Sequence, residues 1–231
     1  MAGVTIIAAT RETRESFPVV TSLGKTLPIY AQYGIKSRIF YENTRGLPAC
    51  YNQSIEEITD EDEILLFLHD DVFLSDFFWI KRLISALKLF SLVGVAGNRR
   101  RQPGQPAWAF SGIHPTERTF QWDDRRYLSG IVGHGDGFPC RISMFGPDEQ
   151  ECLLLDGVLL GARKKTFSAH GIRFDPTFKF HFYDMDICRQ FEKAGLKMGT
   201  ASISIIHKSA GSFGSPEWAL GYEAYLKKWK Q

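Results

Sequence analysis

The sequence predicts an α/β fold in which a mostly parallel, doubly wound central sheet is sandwiched between helices, and three observations carry that reading. Ile64-Leu65-Leu66-Phe67-Leu68 is an unbroken apolar run, too short to span a membrane and suited to a strand buried on both faces. Short apolar runs alternate along the chain with segments of helical spacing, which argues for parallel pairing through crossover helices. Polar and acidic residues follow the apolar runs directly, as His69-Asp70-Asp71 follows Leu68. Ligands bind outside the carboxyl ends of the strands in open α/β sheets, so acids there are candidates for a metal or phosphate site.

Composition narrows the class. At 231 residues the chain is expected to form one domain, with a loop-rich insertion at about 99–150. A hydrophobic content of 44% with 13% aromatic residues supports a sizeable core and excludes global disorder. A net charge of +2 does not point to nucleic acid as a partner. Arg99-Arg100-Arg101 and Lys227-Lys228-Trp229-Lys230 are the dense basic clusters, and solvated charge is their ordinary explanation. Cys50, Cys140, Cys152 and Cys188 form no Cys-x-x-Cys pair and no zinc spacing, so reduced, structural thiols are expected. The chain starts on a strand-like run with no charged-then-apolar leader, and no apolar run approaches the length of a membrane span. The expected location is cytoplasmic, with peripheral contact at the inner face of a membrane left open.

Taken in order, Val4–Ala9 is a first buried strand, and a helix is expected after Thr10-Arg11-Glu12-Thr13 as far as Gly24. Ser37–Tyr41 is a second strand ending on Glu42-Asn43, and Ala49–Ile58 has helical spacing. After the central strand and its acids, Ser75 and Asp76 start a helix with Phe77, Ile80, Leu83, Ile84 and Leu87 on its inward face. Leu92–Ala96 is the next strand, closed by Gly97-Asn98. Arg99–Gln150 is rich in Gly, Pro, Arg and aromatic residues and is expected to form loops and short hairpins. His114, His134 and Asp136 within it are expected on turns or the surface. Cys152–Leu160 is apolar on both sides of Asp156-Gly157, where a glycine suggests a bulge or a close approach of backbone to ligand. Arg163–His170 is a helix, Phe174–Phe178 a turn, and a further helix runs from His181 to about Ala194, stopped by Gly195. Its inward face carries Asp184, Ile187, Cys188 and Phe191, with Asp186 on another side. A strand over Lys197–Ile206 delivers His207, a polar loop from Lys208 to Ser212 follows, and Ser215-Pro216-Glu217 begins a last amphipathic helix.

Two features carry chemistry at this level. Adjacent Asp70 and Asp71 repel each other in water, and a divalent cation makes their pairing favourable; a solvated turn or a helix cap is the alternative. Asp184 on the buried face of a first helical turn asks for a purpose, and capping is again the alternative.

These residues together resemble the inverting glycosyltransferases of the nucleotide-diphospho-sugar (GT-A) fold, most closely the family-two-like bacterial enzymes. The resemblance covers nearly the whole chain outside 99–150, and the segment from Gly171 to Gly211 is its most specific part. Members carry an Asp-x-Asp motif after a buried strand, and His69-Asp70-Asp71 is similar to it. Asp71 matches the metal-binding second acid, and His69 stands at the first, which touches ribose or metal. Leu155-Asp156-Gly157 is similar to the strand of the donor and acceptor pocket. Phe182-Tyr183-Asp184-Met185-Asp186-Ile187-Cys188-Arg189 resembles the Glu-Asp-x-Asp-Leu-x-x-Arg element, with Tyr183 at the Glu position and Asp184 matching the catalytic base. His207 matches the late histidine that completes the metal shell. The resemblance further implies that Thr10 and Glu42 hold the nucleoside, and that His69, Asp70, Asp156 and Gly157 contact substrate. It implies a nucleotide-diphospho-sugar donor, most commonly a UDP-sugar, a glycan or lipid-linked glycan acceptor, and Mn²⁺ or Mg²⁺ as the ion.

The chemistry agrees with that match. Glycosyl transfer needs a base for the acceptor hydroxyl and a cation for the departing diphosphate. A sugar-phosphate nucleotidyltransferase would need a Gly-rich phosphate loop, and Thr10-Arg11-Glu12-Thr13-Arg14 contains no glycine. The stronger rival is a catalytically weak or inactive nucleotide-sugar or glycan-binding domain, since His69 and Tyr183 depart from the pattern.

Overall fold

The structure is a computed structural model describing residues 3–230 apart from 115, 117, 118, 210 and 212. Two residues of the expected polar loop, Ala210 and Ser212, therefore lie outside the described residues. β1 (Val4–Ala9) leads through α1 (Phe17–Val20), α2 (Ser22–Tyr30) and a 3-10 turn to β2 (Lys36–Phe40). α3 (Leu47–Glu57) feeds β3 (Ile64–Leu68), and His69-Asp70-Asp71 turns the chain into β4 (Val72–Leu74). α4 (Trp79–Ala86), β5 (Leu92–Gly94) and β6 (Ala96–Asn98) follow, then β7 (Phe110–Ile113), β8 (Phe120–Trp122), β9 (Leu128–His134) and β10 (Arg141–Gly146). The remainder is β11 (Glu151–Cys152), β12 (Leu154–Leu155), β13 (Leu159–Arg163), α5 (Lys164–His170), α6 (Tyr183–Lys193), β14 (Met198–Thr200), β15 (Ile205–His207) and α7 (Pro216–Trp229).

The apolar runs become the centre of a seven-stranded sheet in the order β11-β14-β5-β13-β3-β1-β2. β1 lies parallel to both β2 and β3, and β5 parallel to β14, while β13 and β11 run against their neighbours. Every residue of β1 and β3 is buried, as expected of strands covered on both faces. Tyr51 from α3 and Phe167 from α5 pack edge-on or tilted against Phe67 of β3, at centroid distances of 4.7 and 5.9 Å.

A second sheet, ordered β12-β6-β9-β15-β4 with β10 on β9, stands at the carboxyl end of the first. It arises because two expected strands and the apolar run Cys152–Leu160 are each divided. Leu92–Ala96 breaks at Val95, so β5 stays in the first sheet and β6 enters the second. The Cys152–Leu160 run yields β11, β12 and β13, and Lys197–Ile206 yields β14 and β15. Small residues permit these crossings: a Cβ on Gly97 would lie 2.4 Å from the Leu154 carbonyl oxygen.

Other expectations need correction. Gly24 does not stop a helix but lies inside α2, where a Cβ would sit 2.1 Å from the Phe17 carbonyl oxygen and block the packing of α1 on α2. α4 begins at Trp79, later than Ser75-Asp76, because Asp76 Oδ1 accepts the Phe78 N–H at 2.7 Å and holds a separate turn. Phe77 is thereby left 70% exposed instead of on the inward face. The 99–150 segment contains two hairpins, β7–β8 and β9–β10, and β9 is also an interior strand of the second sheet, bonded to β6 and β15.

Candidate active site

The turn after β3 is pinned from three sides. Its backbone contacts are His69 N–H to Val158 O at 3.3 Å, Leu23 N–H to Asp70 O at 2.9 Å and Lys208 N–H to Asp71 O at 3.1 Å. β4 then pairs antiparallel with β15 in a register that sets Val72 opposite His207. That register, not sequence proximity, brings His207 Nε2 to 3.3 Å from Asp71 Oδ2. Ser209 Oγ lies 3.1 Å from the same nitrogen. Burial alone would raise the Asp71 pKa, but the hydrogen bond and charge of His207 outweigh it and hold the carboxyl well below its ordinary value. Burial disfavours the charged form of His207, yet Asp71 raises its pKa above the usual value.

His69 completes a cluster with Asp71 and His207, one donor atom from each lying within 4.8 Å of the others. Asp71 Oδ1 is buried and has no hydrogen-bond partner among the described residues. An orphaned carboxylate oxygen beside two imidazoles is a donor set that fits a divalent cation.

The second half of the site comes from the Asp156-Gly157 turn and the start of α6. Asp184 Oδ2 accepts the Gly157 N–H at 3.2 Å, and its Oδ1 accepts the Met185 N–H at 2.8 Å. Burial, followed by the charge of Asp156, pushes the Asp184 pKa up to about 7. Asp156 is fixed by Trp108 Nε1 at 2.9 Å on one oxygen and the Val158 N–H at 3.0 Å on the other. A Cβ on Gly157 would come within 2.3 Å of the Tyr183 hydroxyl, so only glycine fits this turn. The Tyr183 hydroxyl donates to the Gly157 carbonyl at 2.8 Å and lies 2.7 Å from His69 Nε2.

His69, Asp156, Gly157, Asp184 and His207 all line one cavity of about 260 Å³, with aromatic walls from Trp108, Trp122 and Phe145. Asp71 adjoins it through His207. Thr10, Glu42 and Asp70 do not line it. They cluster instead at the ends of β1, β2 and β3, where Asn43 N–H donates to Thr10 O at 2.8 Å and Glu42 N–H to Glu12 O at 3.0 Å. A hydrogen bond from Thr10 acts against the rise that burial imposes on the Asp70 pKa.

Three findings escape the sequence reading. Asp186 does lie away from the Asp184 face but is fully buried, because α6 packs against the sheet on one side and α7 on the other. It accepts Lys228 Nζ at 2.6 Å, Gln190 Nε2 at 2.8 Å and Trp229 Nε1 at 3.0 Å. His134, expected on a turn or the surface, ends β9 beside His207 and lines the cavity, its buried Nε2 lacking a partner among the described residues. Trp108 reaches across from the 99–150 segment to hold Asp156. No local pattern marks either residue, because His134 is placed by the pairing of β9 with β15 and Trp108 by hydrogen bonds from its loop to Asn98 and Asp156.

No family model matches the chain, and no curated protein matches it in sequence. Solved structures do match in shape. The crystal structure of GalNAc-T7 with UDP, GalNAc and Mn²⁺ is similar at a TM-score of 0.53 and 11% identity, over 98% of this chain and 48% of that one. The catalytic domain of Drosophila beta1,4galactosyltransferase 7 in complex with xylobiose gives a TM-score of 0.46 at 10% identity, over 87% of this chain and 66% of that one. 4-diphosphocytidyl-2C-methyl-D-erythritolsynthase from Anaerococcus prevotii DSM 20548 gives 0.44 at 13% identity, over 98% and 99%. The chain thus spans about half the length of GalNAc-T7. At such identities the likeness speaks to architecture alone: this chain has the α/β fold, with a mostly parallel central sheet, of the nucleotide-diphospho-sugar (GT-A) transferases.

Proposed function

We propose that this protein is a glycosyltransferase that moves a sugar from a nucleotide-diphospho-sugar, a UDP-sugar, to an acceptor hydroxyl with inversion. One observation carries the reading. A carboxylate pushed up to about 7, Asp184, faces the same cavity as the end of an Asp71–His207 pair whose second carboxylate oxygen is buried without a partner. General-base chemistry wants a pKa near the working pH, and a raised acid beside a candidate cation site meets that need.

Asp184 takes the proton of the acceptor hydroxyl as its oxygen bonds to the anomeric carbon and the bond from that carbon to the diphosphate breaks. The bonding pair leaves with the diphosphate, and the proton stays on Asp184 until solvent removes it. Asp71 and His207 would hold Mn²⁺ or Mg²⁺, which when bound stabilises the charge of the departing diphosphate. Thr10, Glu42 and Asp70, grouped at the neighbouring strand ends, would hold the nucleoside, and Asp156 and Gly157 the sugar side. Trp122, 60% exposed and stacked on Phe145 at 6.1 Å, offers a flat apolar face for a glycan or lipid-linked glycan acceptor.

No described helix is long and apolar enough to cross a membrane. A cytoplasmic location, with peripheral contact at the inner membrane face, is proposed with the lipid-linked acceptor.

The test is release of nucleoside diphosphate from a panel of donors in the presence of Mn²⁺, with thermal shift as the measure of binding. The expected result is stabilisation by UDP and Mn²⁺ together and UDP release that acceptor accelerates. Binding of nucleotide with neither hydrolysis nor transfer would instead favour a binding domain, the reading that the replacements at His69 and Tyr183 support.

A further inference from the structure

Two of the positions at which this chain departs from the pattern it resembles touch each other. His69 stands where that pattern has an acid, Tyr183 where it has a glutamate, and His69 Nε2 lies 2.7 Å from the Tyr183 hydroxyl. The same hydroxyl is 2.8 Å from the Gly157 carbonyl oxygen. A carbonyl oxygen can only accept, and a phenol has a single proton, so that proton belongs to the bond with Gly157. The phenolic oxygen must then accept from His69, which requires Nε2 to carry hydrogen. A neutral imidazole protonated at Nε2 keeps its lone pair on Nδ1.

Little in this arrangement can adjust. Tyr183 is 2% exposed, and the Gly157 backbone is tied to Asp184 at 3.2 Å. The glycine carries no Cβ because one would meet the Tyr183 hydroxyl at 2.3 Å. The His69 backbone is itself bonded to Val158 at 3.3 Å.

We infer that Tyr183 is a positioning residue that holds His69 in the Nε2–H tautomer and so presents Nδ1 as a third protein donor to the cation of Asp71 and His207. The three side chains already place one donor atom each within 4.8 Å of one another. The set becomes two imidazoles and one carboxylate, which suits Mn²⁺, Co²⁺ or Zn²⁺ better than Mg²⁺, an ion that favours oxygen ligands. This rests on the proposed metal-assisted function only in so far as both need a cation at this site.

Two measurements test it without nucleotide or turnover, so it can fail while the transfer reading stands, and the reverse. Two-bond ¹H–¹⁵N correlation on metal-free, ¹⁵N-histidine-labelled protein reads the tautomer of His69 directly. Titration with Mn²⁺ by electron paramagnetic resonance, and with Co²⁺ by visible absorption, reads the site. The expected results are the Nε2–H form in the wild type and loss of a nitrogen-ligand signature from the Co²⁺ spectrum in His69→Ala. Tyr183→Phe should weaken both ions about 10–100-fold, as loss of an orienting partner does, and let the second tautomer appear. An Nδ1–H form in the wild type, or His69→Ala binding Mn²⁺ and Co²⁺ as tightly as wild type, overturns the inference. Should Tyr183→Phe fail to fold, the wild-type tautomer and His69→Ala still decide.

Discussion

The Gly157 N–H donates to the Asp184 carboxylate at 3.2 Å, so the residue directly after Asp156 fixes the proposed base in place. Both acids face one cavity, and the charge of Asp156 adds to burial in raising the Asp184 pKa to about 7.

A pH dependence follows. A base must be unprotonated to act, so kcat/KM should rise with pH through about 7 instead of through the ordinary carboxylate range. Asp156→Asn removes a negative neighbour and should move that limb to lower pH. Asp184→Asn should abolish the limb and reduce transfer by roughly 10²–10⁴ while leaving donor binding intact. Rate profiles on the three proteins at saturating donor are the check. Near-wild-type turnover by Asp184→Asn would move the base to Asp156.

The same shift has a stability sign. A carboxyl raised from 3.8 unfolded to about 7 folded favours the protonated folded state. Its stabilising contribution is whole below the unfolded pKa and is lost as pH rises through about 7. Asp184→Asn should therefore gain stability over wild type at pH values above that window and lose the advantage in acid. Urea unfolding across pH measures it.

The Asp71–His207 pair predicts coupled binding. Asp71→Ala and His207→Ala should each weaken Mn²⁺-dependent binding of nucleoside diphosphate about tenfold or more, with the fold intact, because both side chains sit at strand ends and not in the core. Calorimetry with UDP, with and without Mn²⁺, reads this. Unchanged affinity in both variants would remove the cation from these residues.

Asp186 and Asp184 should behave oppositely although they stand two positions apart. Asp186→Ala leaves Trp229 Nε1 without its acceptor, takes one of two acceptors from Gln190, which keeps the Arg173 carbonyl, and removes a partner of Lys228. A loss of about 2–4 kcal/mol is expected, with turnover per folded molecule unchanged. Denaturant midpoints together with single-concentration rates separate the two effects.

On the acceptor side, Trp122→Ala should raise the acceptor KM about tenfold, the equivalent of roughly 1.4 kcal/mol of lost stacking and apolar contact, and leave donor affinity alone. Initial rates with varied acceptor at fixed donor would show it. A change confined to donor affinity would place the aromatic wall elsewhere in the reaction.

How much of this the sequence holds depends on range. Ile64–Leu68 reads directly as a buried strand, since nothing polar interrupts it, and Ser215 reads as a helix cap, which it is, accepting the Trp218 N–H at 3.1 Å. The convergence of Asp71 and His207 has no local signature; it enters through family resemblance, and the pairing of β4 with β15 supplies its physical cause. His134 and Trp108 are silent in the sequence because their places follow from β9 and from a loop whose neighbours lie far along the chain. Asp186 reads as a polar side of a helix because periodicity describes one helix at a time and cannot see α7 arriving behind it.

The divided strands have a mechanical meaning. At His69-Asp70-Asp71, at Val95, at Leu153 and between β14 and β15 the chain passes from the first sheet directly into the second, four times in all among the described residues. A hinge between the two sheets would have to bend four backbone connections in concert. Asp71 lies on one of these connections and His207 ends the strand that follows another, while Asp184, on α6, is tied by the Gly157 N–H to the turn between β12 and β13. The β7–β8 ribbon has no such tie: among the described residues no strand pairing joins it to either sheet, so its sequence can change without breaking a ladder of the two sheets that position Asp71 and His207.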